Sequence, residues 1–590
     1  MTTHQNLGKL VLQGIPAAPG ITHGPAFVFL QKELEIPLYE VGKHQISSEI
    51  KRFEEAIIAT KKQIINLRKT VEKTFGEQEA QIFDSHLFIL QDKALIEETK
   101  KEQERSSYNI DYCFHTIAKR HIQDFSNIND KYIRERLADI YDVAKRVLAN
   151  LLGHKEQGVL AFTEQKIIVA DDLSPSDVAE IRRESVLAVI TNSGSRTSHS
   201  VIMARSLQVP SVVGLHNATA QITNNDYLII DGYEGTVIVN PSPEVLAKYE
   251  RIKRDKLHLQ EIYESISSLP SKTTDGHRVS LMVNIGNLQD IKKLHTTSSD
   301  GIGLLRTESI FLEMSKSPSE EEQFKIYQNI VQGMNPLPVT IRTLDIGEDK
   351  RLGNLLLRED ENNPFMGLRA IRFSLENIEL FKTQLRAILR ASAFGKTLLM
   401  YPLITGVQEL VQANKILEEV KKELKAHNLP FDEHIEVGIM IETPAAAEII
   451  DLLAPHCAFF SLGTNDLIQY LLAADRNNDR IAYLYQPHHP AVLRTLKKIF
   501  TAAKEKGIKI TVCGEMAADP LYIPLLLGLG ADALSVTPGS IPEIKHTIRT
   551  LEFKDATNFT QAILQETNPT IIIELLRDFY FQNIGKSFTE

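Results

Sequence analysis

At 590 residues the chain exceeds what one hydrophobic core can organise, so several domains are expected, and its 43% hydrophobic and 24% charged residues are those of an ordinary globular protein. No run approaches the roughly 18 to 20 uninterrupted apolar residues that cross a bilayer, which argues against membrane insertion. The net charge of -10, with no dominant Lys/Arg block, argues against nucleic acid as a partner.

Residues 10–29 read as two short apolar strands around a Gly/Pro turn. Over residues 47–153 glycine and proline nearly vanish and apolar residues recur at three and four, as in Ile57, Ile58, Ile64 and Ile65, which predicts a helical bundle. Short β-rich runs then return at 166–170, 187–191, 211–214, 227–232 and 236–240. With the first strands they predict one small β-containing domain that carries the bundle as an insertion. A charged helical stretch at 243–269 suits a linker. Eight short apolar runs follow, at 280–284, 301–305, 339–344, 397–404, 436–441, 458–463, 509–513 and 532–536, with helical segments between them. That is the pattern of a (β/α)8 barrel, whose strands are buried on both faces and so read as continuous apolar runs. The expected fold is therefore multidomain α/β: 1–29 and 154–242 form the small domain, 30–153 the helical insertion, 243–270 the linker and 271–590 the barrel.

Barrels of this type place their chemistry at the C-terminal ends of the strands. There the sequence sets Asn284, Arg306-Thr307-Glu308, Arg342 with Asp345, Glu442, Asn465-Asp466 and Cys513-Gly514-Glu515, with Arg476 shortly after the sixth strand. Guanidinium forks pair bidentately with phosphate and carboxylate, so converging arginines suit a multiply charged anion. Glu442 and Asp466, from adjacent strands, suit Mg2+, which takes one or two carboxylates plus substrate oxygens and water. A lone strand-end Arg is usually a structural ion pair, and a lone Asp is often a helix cap; the joint pattern is what points to a site. Cys513 ends an apolar strand, where cysteine is often a small buried hydrophobe, yet it stands level with the charged groups. An ordinary thiol, with a pKa of about 8.5, holds its proton near neutral pH and can act as an acid.

A second centre lies in the small domain, where the run 187–191 leads into Asn192-Ser193-Gly194-Ser195-Arg196-Thr197-Ser198-His199 and a predicted helix. A neutral imidazole at a helix start is a competent nucleophile where backbone N–H groups favour an arriving phosphate. Thr197 and Ser198 supply hydroxyls to orient it. The three cysteines, Cys113, Cys457 and Cys513, are too few and scattered for a disulfide framework or zinc site. Residues 1–6 lack the basic start and apolar run of a signal peptide, so a cytoplasmic protein is expected.

These motifs resemble enzyme I of the bacterial phosphoenolpyruvate:sugar phosphotransferase system over nearly the whole chain. The resemblance is strongest in SRTSHSVIMARSL (195–207), GIGLLRTE (301–308), IRTLDIG (341–347), NPFMGLRAIR (363–372), IETPAAA (441–447), SLGTNDLIQYLLAADRNND (461–479) and CGEMAAD (513–519). It departs at Ser195, where a second glycine is common before Arg196. The resemblance implies that His199 is phosphorylated, and that Arg306, Arg342, Asn465, Asp466 and Arg476 bind phosphoenolpyruvate. It further implies that Glu442 and Asp466 hold Mg2+ and that Cys513 protonates the enolpyruvate. The small domain would then swivel, the helical insertion would dock the phosphocarrier protein HPr, and the barrel would form a homodimer. The acidic segment 77–92 agrees with a basic partner. Two rivals stay open. Pyruvate-phosphate dikinases and phosphoenolpyruvate synthases share the histidine domain and barrel but need a nucleotide-binding module, whereas the stretch ahead of His199 reads as helical. A regulatory phosphorelay would use the same first transfer.

Overall fold

The computed structural model describes residues 10–29, 34–75, 80–126, 131–153, 164–173, 177, 183–194, 209–286, 298–312, 317–346, 363–476, 478 and 480–585. The chain divides into two compact units, Met1–Leu257 and His258–Glu590.

In the first unit the apolar stretch 10–29 makes three strands, not the expected two: β1 (Leu10–Gln13), β2 (Ile15–Ala18) and β3 (Ile21–Phe29). The break between β1 and β2 is the single residue Gly14, where a Cβ would fall 2.7 Å from the Val213 carbonyl oxygen. The chain runs so close there that only glycine fits. These strands join β4 (Lys166–Ala170), β5 (Val186–Thr191), β6 (Ser211–Val213), β7 (Tyr227–Asp231) and β8 (Thr236–Val239) in one mixed sheet, ordered β1-β8-β7-β3-β4-β5-β6-β2. Because β1 and β2 are neighbours in the chain yet stand at opposite ends of that order, the sheet curls round on itself.

Between β3 and β4 the chain leaves the sheet for five helices among the described residues: α1 (Ile46–Phe75), α2 (Ile82–Leu90), α3 (Lys93–Ser106), α4 (Ile110–Ser126) and α5 (Lys131–Leu151). Their apolar stripes bury Phe53, Ile64, Phe83, Phe114, Ile117 and Val147 in a common core. Local chemistry sets the breaks. Asp92 caps α3 by accepting from the Ala94 N–H at 2.8 Å, and Ser107 ends it in a left-handed conformation at φ 59°.

The linker reading lands on one helix, α6 (Pro243–Ile266), and the boundary between the two units falls within it. The second unit is a closed, all-parallel barrel of β9 (Ser280–Ile285), β10 (Ile302–Leu305), β11 (Val339–Arg342), β12 (Thr397–Tyr401), β13 (Glu436–Ile441), β14 (Phe459–Leu462), β15 (Lys509–Val512) and β16 (Ala533–Val536). Each expected run lands on one strand, with ends that either coincide or differ by one to three residues. Beneath the C-terminal mouth the barrel is plugged by Leu304, Met400, Met440, Phe459 and Cys513. The large Phe459 ring is admitted because its neighbour on β13 is Gly438, where a Cβ would meet that ring at 2.5 Å. Outer helices include α7 (Glu320–Met334), α8 (Ile378–Ser392), α9 (Val407–Ala426), α10 (Thr464–Leu472) and α11 (Pro490–Lys506). No helix among the described residues is long and apolar enough to cross a membrane.

Candidate active site

The barrel mouth opens into a cavity of about 180 Å³ whose lining includes Arg306, Arg342, Glu442, Asn465, Asp466, Arg476 and Cys513. Seven of the eight residues expected from sequence to carry chemistry thus share one concave site: six end a barrel strand or follow one within four residues, and Arg476 follows α10. The eighth, His199, lies with residues 195–208 outside the described residues.

The arginines differ in how far the chain itself satisfies them. Arg342 is buried, donating from Nη2 to Glu308 Oε1 at 2.9 Å and pairing through Nη1 with Asp345 Oδ2 at 2.9 Å, while its Nε has no hydrogen-bond partner among the described residues. Burial works against its charge, and Glu308, Asp345 and Glu442 outweigh burial, so its pKa rises above the ordinary range. Arg306 is exposed and makes no ion pair among the described residues. Arg476 reaches Glu515 only at 3.8 Å. Arg306 and Arg476 therefore keep hydrogen-bonding capacity for an anion.

A fourth arginine was not foreseen. Arg369 comes from the loop after β11, and it donates to Asp345 from Nε at 2.8 Å and from Nη2 at 3.1 Å, and from Nη2 to Asp466 Oδ2 at 2.9 Å. Its Nη1 donates to the Tyr470 hydroxyl at 3.2 Å, and that hydroxyl donates to the Phe365 carbonyl. The following residue, Ala370, takes φ 57° with ψ -126°, a sparsely populated region for an L-residue that costs on the order of 1 to 3 kcal/mol. The signal in the sequence was the stretch 363–372, whose Arg369 stands at no strand end.

Glu442 is 2% exposed and is held by the Leu403 N–H, which donates to its Oε1 at 2.7 Å. Leu403 takes a φ of 54°, an unfavourable backbone spent on aiming that donor. Burial, then the charges of Asp466 and Asp345, push the Glu442 carboxyl up to about 8 in spite of Arg342 and Arg369. Crowded, buried carboxylate oxygens of this kind fit a hard divalent cation, whose charge would relieve that repulsion. Among the described residues no three His, Cys, Asp or Glu side chains are arranged to hold a metal on their own. The pair Glu442 and Asp466 is instead the donor count with which Mg2+ is held together with substrate oxygens and water.

Cys513 is 4% exposed and forms part of the apolar plug. Its Sγ accepts from Ser461 Oγ at 3.3 Å, and its S–H faces the Leu462 carbonyl at 3.5 Å. Burial pushes the thiol up, Glu442 adds to this, and Ser461, Arg342 and Arg306 oppose it. A neutral S–H beside a site for anions is a proton source. Asn284, expected at the mouth, serves the scaffold: its Nδ2 donates to the Cys513 and Ser535 carbonyls at 3.0 and 2.9 Å, and its Oδ1 accepts from the Ser535 hydroxyl. It thereby ties β9, β15 and β16 together beneath the cysteine.

Comparison with known proteins covers the whole of this architecture. Family models described as PEP-utilising enzyme match in three parts: the N-terminal part over residues 13–136, the mobile domain over 162–235 and the PEP-binding domain over 260–553. The chain is 41% identical over 568 residues to a phosphoenolpyruvate-protein phosphotransferase of Listeria innocua, covering 96% of this chain and 99% of that one. It is 42% identical over 557 residues to the protein of that name from a Bacillus species, covering 94% and 95%. Against the one from Haemophilus influenzae it is 39% identical over 577 residues, covering 97% and 100%.

Proposed function

The chain belongs to the phosphoenolpyruvate-protein phosphotransferase family, and we propose that it moves the phosphoryl group of phosphoenolpyruvate onto His199 and thence to the histidine of HPr, releasing pyruvate. The observation that carries this reading is the barrel mouth, where Arg306, Arg342, Asn465 and Arg476 surround a cavity that also holds Glu442, Asp466 and the protonated Cys513.

The neutral imidazole of His199 attacks phosphorus, the new P–N bond forming as the P–O bond to the enol oxygen breaks. Arg306, exposed and free of an ion pair among the described residues, supplies a guanidinium fork to anionic oxygens, and Arg342, clamped by Glu308 and Asp345, presents its Nε from a fixed position. Glu442 and Asp466 would hold Mg2+, which when bound neutralises charge on the transferring group. The departing enolate takes the Cys513 proton at carbon and becomes pyruvate. The Ser461 hydroxyl, already donating to Sγ, supports the thiolate left behind.

In the same reading, residues 1–29 with 154–242 are the swivelling carrier of His199, 30–153 dock HPr, 243–270 link the carrier to the barrel, and 271–590 bind phosphoenolpyruvate and form a cytoplasmic homodimer. Phe88 on α2, 80% exposed, supports a docking face for a partner protein. The test is incubation with phosphoryl-labelled phosphoenolpyruvate, Mg2+ and HPr. Label reaches HPr only with this chain present, and His199→Ala abolishes the transfer without changing the melting curve; undiminished transfer in that variant overturns the reading.

A further inference from the structure

Asn465 and Arg476, two of the groups that the proposed function gives to substrate oxygens, face a carboxylate of the chain itself. Glu515 opens the turn after β15. Its backbone N–H donates to Asn465 Oδ1 at 2.7 Å, its Oε1 accepts from Asn465 Nδ2 at 2.9 Å, and the same Oε1 lies 3.8 Å from Arg476 Nη1. The backbone bond sets the orientation of the amide, since Oδ1 must face the N–H and Nδ2 must then face the carboxylate. Arg476 Nη1 is buried and lacks a hydrogen bond among the described residues, whereas the Glu515 side chain is 74% exposed.

A carboxylate and the oxygens of phosphoenolpyruvate are ligands of one kind, acceptor-only and anionic. We propose that Glu515 is an internal competitor of the substrate anion: it shares one Nδ2 hydrogen of Asn465 and the charge of Arg476 with phosphoenolpyruvate, swings into solvent when the substrate arrives, and so sets the affinity of the site. The exposed side chain packs against little, so that movement gives up one hydrogen bond and a long ion pair. The negative charge of Glu515 also opposes an arriving anion, and both effects act in the same direction. The Asn465 Oδ1 bond involves only the backbone of Glu515 and survives any side-chain change.

This inference rests on the reading that Asn465 and Arg476 hold phosphoenolpyruvate. The test is calorimetric titration of the full chain carrying His199→Ala, so that phosphoenolpyruvate is bound and not consumed, in the presence of Mg2+. Adding Glu515→Ala is expected to tighten binding about 3- to 10-fold, a gain of roughly 0.7 to 1.4 kcal/mol, and Glu515→Gln, which keeps the acceptor without the charge, gives an intermediate gain. The gain shrinks at high salt, because the lost charge faces solvent. Equal or weaker binding in Glu515→Ala overturns the inference, weaker binding making Glu515 a holder of Asn465. Failure of phosphoenolpyruvate to bind the parent overturns the functional reading itself and the inference with it.

Discussion

Replacing Arg369 with leucine removes the cation that two carboxylates share inside the mouth. Arg369 makes three ionic hydrogen bonds, two to Asp345 and one to Asp466, whose side chains are 4% and 11% exposed. Removing one partner of such a buried set leaves uncompensated charge and costs about 3 to 5 kcal/mol. For a unit the size of the barrel this lowers the melting temperature by roughly 4 to 7 °C. The pH dependence follows from Glu442, whose carboxyl is pushed up to about 8 by burial and by Asp466 and Asp345, with Arg369 among the groups that oppose the rise. A carboxyl raised in the folded state contributes stability that is fully present below its unfolded pKa and lost as pH climbs through the folded value. Without Arg369 that folded value moves higher, so the variant loses more stability than the parent between about pH 6 and pH 9. Calorimetric melts of parent and Arg369→Leu at both pH values read this directly, and Asp345→Asn added to the variant recovers part of the loss. A variant within about 2 °C of the parent at pH 9, or a deficit that narrows as pH rises, refutes the reasoning.

Cys513→Ala is expected to slow pyruvate release by at least about 10-fold while the affinity for phosphoenolpyruvate stays within about 2-fold, read by steady-state turnover against calorimetric binding. Because burial pushes this thiol up, the parent keeps its proton donor through neutral pH, and turnover falls only on the alkaline side of the ordinary thiol value of about 8.5. Gly514→Ala is expected to weaken phosphoenolpyruvate binding by more than about 10-fold with the barrel still folded. The added Cβ would fall 1.8 Å from Thr464 Oγ1 and 2.7 Å from the Thr464 nitrogen, displacing the turn that carries Asn465 and Asp466.

The barrel was legible because parallel strands buried on both faces leave continuous apolar runs, and its mouth was legible because strand ends are countable positions. Glu442, Asn465, Asp466 and Cys513 could therefore be placed together before any geometry was known. Arg369 could not, since a loop delivers it from 27 positions beyond Arg342 and its role comes from pairing with Asp345 and Asp466. Asn284 also stands near a strand end, but its amide is turned toward the backbone at the Cys513 and Ser535 carbonyls. The split of residues 10–29 into three strands was hidden because one glycine, Gly14, carries the chain from one end of the sheet order to the other with no run of turn residues.

The account turns on where the phosphoryl group rests between its donor and its acceptor. Brief incubation of the full chain with labelled phosphoenolpyruvate and Mg2+, followed by peptide mapping under alkaline conditions that preserve phosphohistidine, identifies that residue. The label is expected on His199, discharged when HPr is added. Label on any other residue, or label that HPr leaves in place, contradicts it.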